Sequence, residues 1–216
     1  VGVRGLYDRE LNELKEDILS MGDQVVLAFS QALSFLETRE VSRINTFITD
    51  DEKVNKSELA IHDKVTMMIA RQQPVATDLR VAIAALKIAS DMERIGDLAV
   101  DIGKAAKRLS EETKIEDIQD IREMATIAEE MLTSVFEAYK NRDLMQAQQV
   151  AVMDDKVDDL YSRFIKKLFT STDLLGVEQT TQLAFVGRYV ERIADYATNL
   201  AEWVVYETNG KHFDLN

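Results

Sequence analysis

The chain has no cysteine, which excludes disulfides, thiolate zinc sites and iron–sulfur ligation and fits a reducing compartment. One proline and eight glycines in 216 residues leave few of the turns that a multi-stranded fold requires, so the expectation is all-α. Long apolar runs are also missing. The longest uninterrupted one, VAIAAL at 81–86, is far too short to span a bilayer. The opening VGVRGLYDRE carries no apolar signal-peptide core. We therefore expect a soluble cytoplasmic protein without direct membrane insertion. Basic residues are outnumbered, 26 against 39 acidic, and the net charge of −13 argues against a nucleic-acid backbone or an anionic membrane as the main partner. Cations and basic patches on other proteins remain open. Charged residues make up 30% of the chain and are mixed along it, as in a folded protein rather than a disordered one.

What is present is helical periodicity. Six segments read as helices, at about residues 8–36, 41–70, 75–109, 118–140, 144–169 and 177–206. RQQP breaks the pattern after the second, with Pro74 placed for the first turn of the third. The polar SEETKIED at 110–117 is the linker. The two halves match in register. ETREV at 37–41 aligns with KNRDL at 140–144 and DEKVN at 51–55 with DDKVD at 154–158, both at an offset of 103. ERIGDLA then matches ERIADYA at an offset of 98, the difference falling where a turn absorbs it. This predicts two tandem three-helix bundles, residues 6–109 and 118–208, related by an internal pseudo-two-fold axis.

The third helix of each unit carries an apolar seam at alternating spacings of three and four: Ala85, Ile88, Met92, Ile95, Ala99, Ile102 and Ala106, then Leu183, Val186, Val190, Ile193, Ala197, Leu200 and Val204. Beside it run small residues every seven positions, Ala89, Gly96 and Gly103, then Gly187, Ala194 and Ala201. A helix-interior glycine costs roughly 1 kcal/mol against alanine, which points to a neighbouring backbone in close approach.

Off the seam, MERIGDLA places Glu93, Asp97 and Asp101 at i, i+4 and i+8, and VERIADYA places Glu191, Asp195 and Asn199 likewise. Like charges at that spacing destabilise a helix by roughly 0.2–0.5 kcal/mol per pair. Two readings compete. The carboxylates are a solvated face neutralised by Arg94 and Arg192, with Arg94 reaching Asp91 and Asp97, or they are metal ligands. The recurrence favours ligands, as does a second repeated acidic element on the preceding helix, Asp51 with Asn55 and Asp154 with Asp158. Stacked oxygens from two helices suit a hard cation, which would turn the repulsion into attraction. His62 lies four residues after Glu58, so the E-x-x-H pair of di-iron bundles is absent, and His212 sits in the tail. Iron, manganese, zinc, calcium and magnesium all remain open. No phosphate loop, G-x-S-x-G elbow or H-E-x-x-H appears.

RQQPVATDLR at 71–80, then DMERIGDLAVDI at 91–102, with DDEKVNKSELAIHD at 50–63 and the second-half strings DDKVDDLY and YVERIADYATNLAEWVVY, resembles the PhoU family of bacterial phosphate-uptake regulators. The resemblance runs from about residue 6 to 211 in order, twice over. It implies a cytoplasmic, non-enzymatic adaptor linking the ATPase subunit of the phosphate ABC transporter to the phosphate-sensing histidine kinase and repressing the phosphate-starvation response. It also implies homodimers, and divalent or trivalent metal ions, iron, zinc or other, on Glu93 and Asp97 (prolonged to Asp101) and on Glu191 and Asp195. Ala194 stands where the motif commonly has Gly, and Asn199 where the first copy has Asp101. GVEQTT replaces the Pro and D-L-R of the first unit, which puts equal affinity of the two sites in question. Asp78 and Arg80 are candidates for a partner-docking surface, or else Thr77 or Asp78 caps the helix and Arg80 is simply exposed. A carboxylate-metal hydrolase and a purely structural helical dimer are the alternatives.

Overall fold

The computed structural model describes residues 3–49, 52–110, 118–170, 175–211 and 215. The described residues form helices α1 (Val3–Thr38), α2 (Val41–Thr49), α3 (Glu52–Gln72), α4 (Thr77–Arg108), α5 (Gln119–Asn141), α6 (Leu144–Thr170) and α7 (Val177–Asn209). The second expected helix is thus seen as two stretches, on either side of residues 50–51, which lie outside the described set together with 111–117 of the expected linker and with His212.

Every seam position named above is buried on α4 or α7. The two helices pack along one another and run antiparallel: Trp203 near the end of α7 donates to Asp91 in the first half of α4 (3.1 Å). On their flanks α1 packs on α4 and α5 on α7, and α1 also touches α5, closing a four-helix core. Outside it, α3 lies on α1 and α4, and α6 on α5 and α7. The stretch Tyr7–Thr38 is apolar and long enough to cross a membrane by composition alone. Its Leu14, Ile18, Met21, Val25 and Phe29 are instead at most 1% exposed, in the shared core.

The start of α4 differs from expectation. Pro74 precedes the helix, which begins at Thr77 behind Ala76 in a left-handed conformation (φ 50°), with no side-chain cap from Thr77 or Asp78. A turn closed by the Asp78 amide on the Val75 carbonyl (3.2 Å) supplies the entry, so the chain cannot be helical as early as Pro74.

The small-residue positions are close approaches, but to side chains rather than backbone. A Cβ on Gly96 would stand 3.1 Å from Val54, and on Gly103 3.2 Å from Phe47. On Gly187 it would stand 2.5 Å from the Phe164 ring, itself buried between α6 and α7. Gly187→Ala therefore overpacks this contact, with an expected loss of about 1–3 kcal/mol in chemical denaturation. Gly96→Ala, facing an ordinary valine methyl a few tenths of an ångström too near, costs less.

Candidate metal centre

Glu191 and Asp195 lie one turn apart on α7, and α6 brings Asp158 beside them. One oxygen from each of the three lies within 4.8 Å of the others, the one such acidic triad among the described residues. It is an acidic carboxylate triad able to hold a metal. The helix-packing geometry explains the convergence. Val157 and Leu160 on α6 and Val190 and Ile193 on α7 are buried in the core, which fixes the two helices at the height where their acidic faces meet.

Asp154, one turn before Asp158, is also in the site and is only 5% exposed, while Glu191 is 8% exposed. Asp154 Oδ1 and Glu191 Oε2 are buried without a well-formed hydrogen bond, and the Thr198 hydroxyl beside Asp154 favours its ionised form. An ionised carboxylate in that state is costly unless a cation joins it. Burial, then the neighbouring Asp195, pushes Glu191 up to about 7, with Arg188 pulling the other way. Burial followed by Asp195 and Asp158 pushes Asp154 up to about 6. Asp158 is raised by burial first, then by Asp195 and Asp155, with Arg188 opposing. Arg188 pairs with Glu191, and Arg192 with Asp195 at 3.2 Å. The donor set is oxygen only, which suits hard cations with water completing the shell.

The first unit is built differently. Arg94 bridges its ladder, at 3.5 Å from Glu93 and 3.6 Å from Asp97, whose side chain is 44% exposed. Asp91, expected to pair with Arg94, is taken by the Trp203 indole instead. The position of Asp158 is filled by half-buried Asn55, and Asp51, the counterpart of Asp154, lies outside the described residues. Asp101 pairs with Lys104 at 2.8 Å, and Asn199 is half-buried a turn beyond Asp195; neither joins the triad.

Two neighbours were not read from the sequence. Thr198 stands at the register of buried Val100, and Arg188 at that of Ser90. Arg188 precedes Glu191 by three residues, which was a usable signal. Arg80 packs its guanidinium against Gly210, the left-handed cap of α7, and Asp78 lies within electrostatic reach of the Tyr7 hydroxyl. His62 is interhelical. Ser90 Oγ donates to Glu58 (3.1 Å) and lies 3.3 Å from His62 Nε2, and Glu58 approaches the same ring nitrogen at 3.6 Å. A nucleophilic relay needs the acid on the other nitrogen, so this cluster is not one.

The PhoU domain model matches the chain twice, over residues 18–106 and 121–204. A phosphate-specific transport system accessory protein PhoU homolog of Clostridium acetobutylicum is 37% identical over 216 residues, covering 99% of each chain. One from Caulobacter vibrioides is 33% identical over 208 residues, covering 95% of this chain and 90% of its own. The crystal structure of the phosphate transport system regulatory protein PhoU from Streptococcus pneumoniae superposes with a TM-score of 0.90 at 28% identity, over 96% of this chain and 99% of that one. That of PhoU from Pseudomonas aeruginosa gives 0.89 at 28% identity, over 95% and 100%.

Proposed function

The chain belongs to the PhoU family and is a non-enzymatic accessory protein of phosphate transport, and we propose that it acts as a metal-dependent adaptor in phosphate control. In this reading it works in the cytoplasm, as a homodimer, between the ATPase subunit of the phosphate ABC transporter and the phosphate-sensing histidine kinase, and represses the starvation response when phosphate is plentiful. Residues 6–109 and 118–208 are its two units. The observation that carries the metal part is the convergence of Asp158, Glu191 and Asp195, with Glu191 Oε2 buried and without a hydrogen-bond partner and the buried Asp154 beside them. These four residues would hold the cation of the second unit. Glu93, Asp97 and Asn55, with Asp51 and Asp101, are the ligands proposed for a weaker site in the first, and Asn199 extends the second. The bound ion supplies charge compensation, and the side chains then hold α6 against α7 and fix the surface they share. Asp78 and Arg80 belong to the proposed docking surface, Arg80 lying at the C-terminal end of α7.

The net charge of −13 favours basic surfaces on the partners, mainly through encounter rate and specificity. The test is co-purification of this protein with the kinase's cytoplasmic portion and with the ATPase subunit, before and after chelation. Retention that drops on chelation and returns with added metal is expected. Equal retention in both conditions overturns metal dependence, and no retention under either overturns the adaptor reading.

A further inference from the structure

The pseudo-two-fold relates the two ends of the four-helix core, and the ends are not alike. At one end Leu36, Leu109 and Ile118 form an apolar plug, each 7% exposed or less. There Arg39, the left-handed residue after α1, donates to the Ser110 carbonyl, and the Ser110 amide donates to Gln179 at 2.8 Å. In the same register the plug residues become Tyr139, Glu207 and Lys15 at the other end, and Arg39 becomes Arg142, which keeps the left-handed conformation (φ 54°).

A cavity of about 290 Å³ opens there, lined by these four side chains together with Asp8, Asn12 and the apolar Leu11, Leu14 and Val81. It draws on both halves of the chain. Glu207 is 9% exposed, and its Oε2 is buried with no hydrogen-bond partner. Its Oε1 lies 3.9 Å from an Arg142 nitrogen, too far for a good ion pair. Lys15 Nζ uses one of its three donors on the Lys140 carbonyl at 2.7 Å. A buried carboxylate facing open space beside two incompletely used cations is a destabilising arrangement that its apolar counterpart avoids, and it becomes favourable when a ligand supplies a donor to Glu207 and acceptors to Lys15 and Arg142.

We propose that this cavity binds a small oxyanion that still carries a proton, of the hydrogen-phosphate type. Its anionic oxygens accept from Lys15 and Arg142, and its hydroxyl donates to Glu207. Lys15 and Arg142 are balanced by Glu207 and Asp8, so the site has no excess positive charge for a polyphosphate. Sulfate, fully ionised at neutral pH, has no proton for Glu207 and is rejected, since an unpaired acceptor facing an oxyanion is the kind of mismatch that discriminates strongly. The inference goes beyond the adaptor reading and needs neither metal nor partner.

The test is titration of the full chain, after chelation, with inorganic phosphate, sulfate and glycine, followed by calorimetry and by phosphorus NMR line width. Phosphate binds the parent at least tenfold more tightly than sulfate. Lys15→Gln and Arg142→Gln each weaken phosphate at least tenfold. Glu207→Gln, which offers an amide donor, brings sulfate up to the level of phosphate, and Glu207→Leu, copying Leu109, binds neither. Thermal melts establish that each variant is folded, and either cation variant alone decides the matter if the other does not fold. The same titration on Asp158→Asn/Glu191→Gln/Asp195→Asn keeps phosphate binding, which separates this cavity from any metal-held anion. No binding to the parent, equal binding of phosphate and sulfate, preference for glycine, or indifference to both cation variants overturns the proposal.

Discussion

Glu191→Gln combined with Asp195→Asn lowers metal affinity at the second unit by more than about 100-fold, beyond the roughly 10–100-fold that loss of an outer-shell partner costs. The reason is the convergence of Asp158, Glu191 and Asp195 to within 4.8 Å, of which the change leaves a cation only Asp158, with Asp154 beside it. The matching change at Glu93 and Asp97 has a smaller effect, because Arg94 already bridges that more exposed pair. Calorimetric titration and elemental analysis read both. Unchanged stoichiometry and affinity in the Glu191/Asp195 variant would place the metal elsewhere.

The same variant has a pH signature. In the metal-free fold, burial holds Glu191 at about 7 and Asp154 at about 6, whereas in the unfolded chain both ionise near about 4. A raised carboxyl favours the fold at acid pH, and that contribution is lost as pH rises from about 4 through the folded values. The metal-free parent therefore melts below the metal-free variant at pH 8, and the gap closes by about pH 5. Metal reverses the order at pH 8. Its affinity falls below pH 7, because the ligands must shed protons to receive it.

Phe29→Ala is expected to cost about 3–5 kcal/mol, a large share of the roughly 5–15 kcal/mol that holds a typical domain. Phe29 is fully buried on α1, and α1 packs on both α4 and α5, so the loss falls on a core common to the two units. Trp203, the only tryptophan, sits on α7 and donates to Asp91 on α4. Its fluorescence should therefore report the Phe29 lesson from the opposite half, in one transition coincident with the circular-dichroism loss. A tryptophan transition that stays put while helicity falls in two steps would show that the units unfold independently.

The helices and their buried stripe were legible because each rests on local periodicity: the seams of α4 and α7 are read from three- and four-residue spacings and are buried residue for residue. The Glu191–Asp195 pair was legible because it was written twice. Its difference from Glu93–Asp97 was only partly so. The exchange of Asn55 for Asp158 is visible in the string, but the burial of Asp154 and Glu191 depends on how closely α6 meets α7. The start of α4 was misread because Pro74 suits a first turn as well as it suits the turn before one, and only the left-handed Ala76 decides. The cavity under Glu207 was out of reach, since Lys15, Tyr139 and Glu207 are far apart in the chain and meet only where the ends of α5 and α7 reach the side of α1.

Arg188 has a consequence of its own. Its guanidinium already occupies Glu191, at the register where the first unit has Ser90. A metal ion taken up by the second unit, as proposed, would enter by exchange, displacing a cation that is tethered and always present. In the proposed metal-binding role, that tether would raise the free metal concentration needed to fill the site.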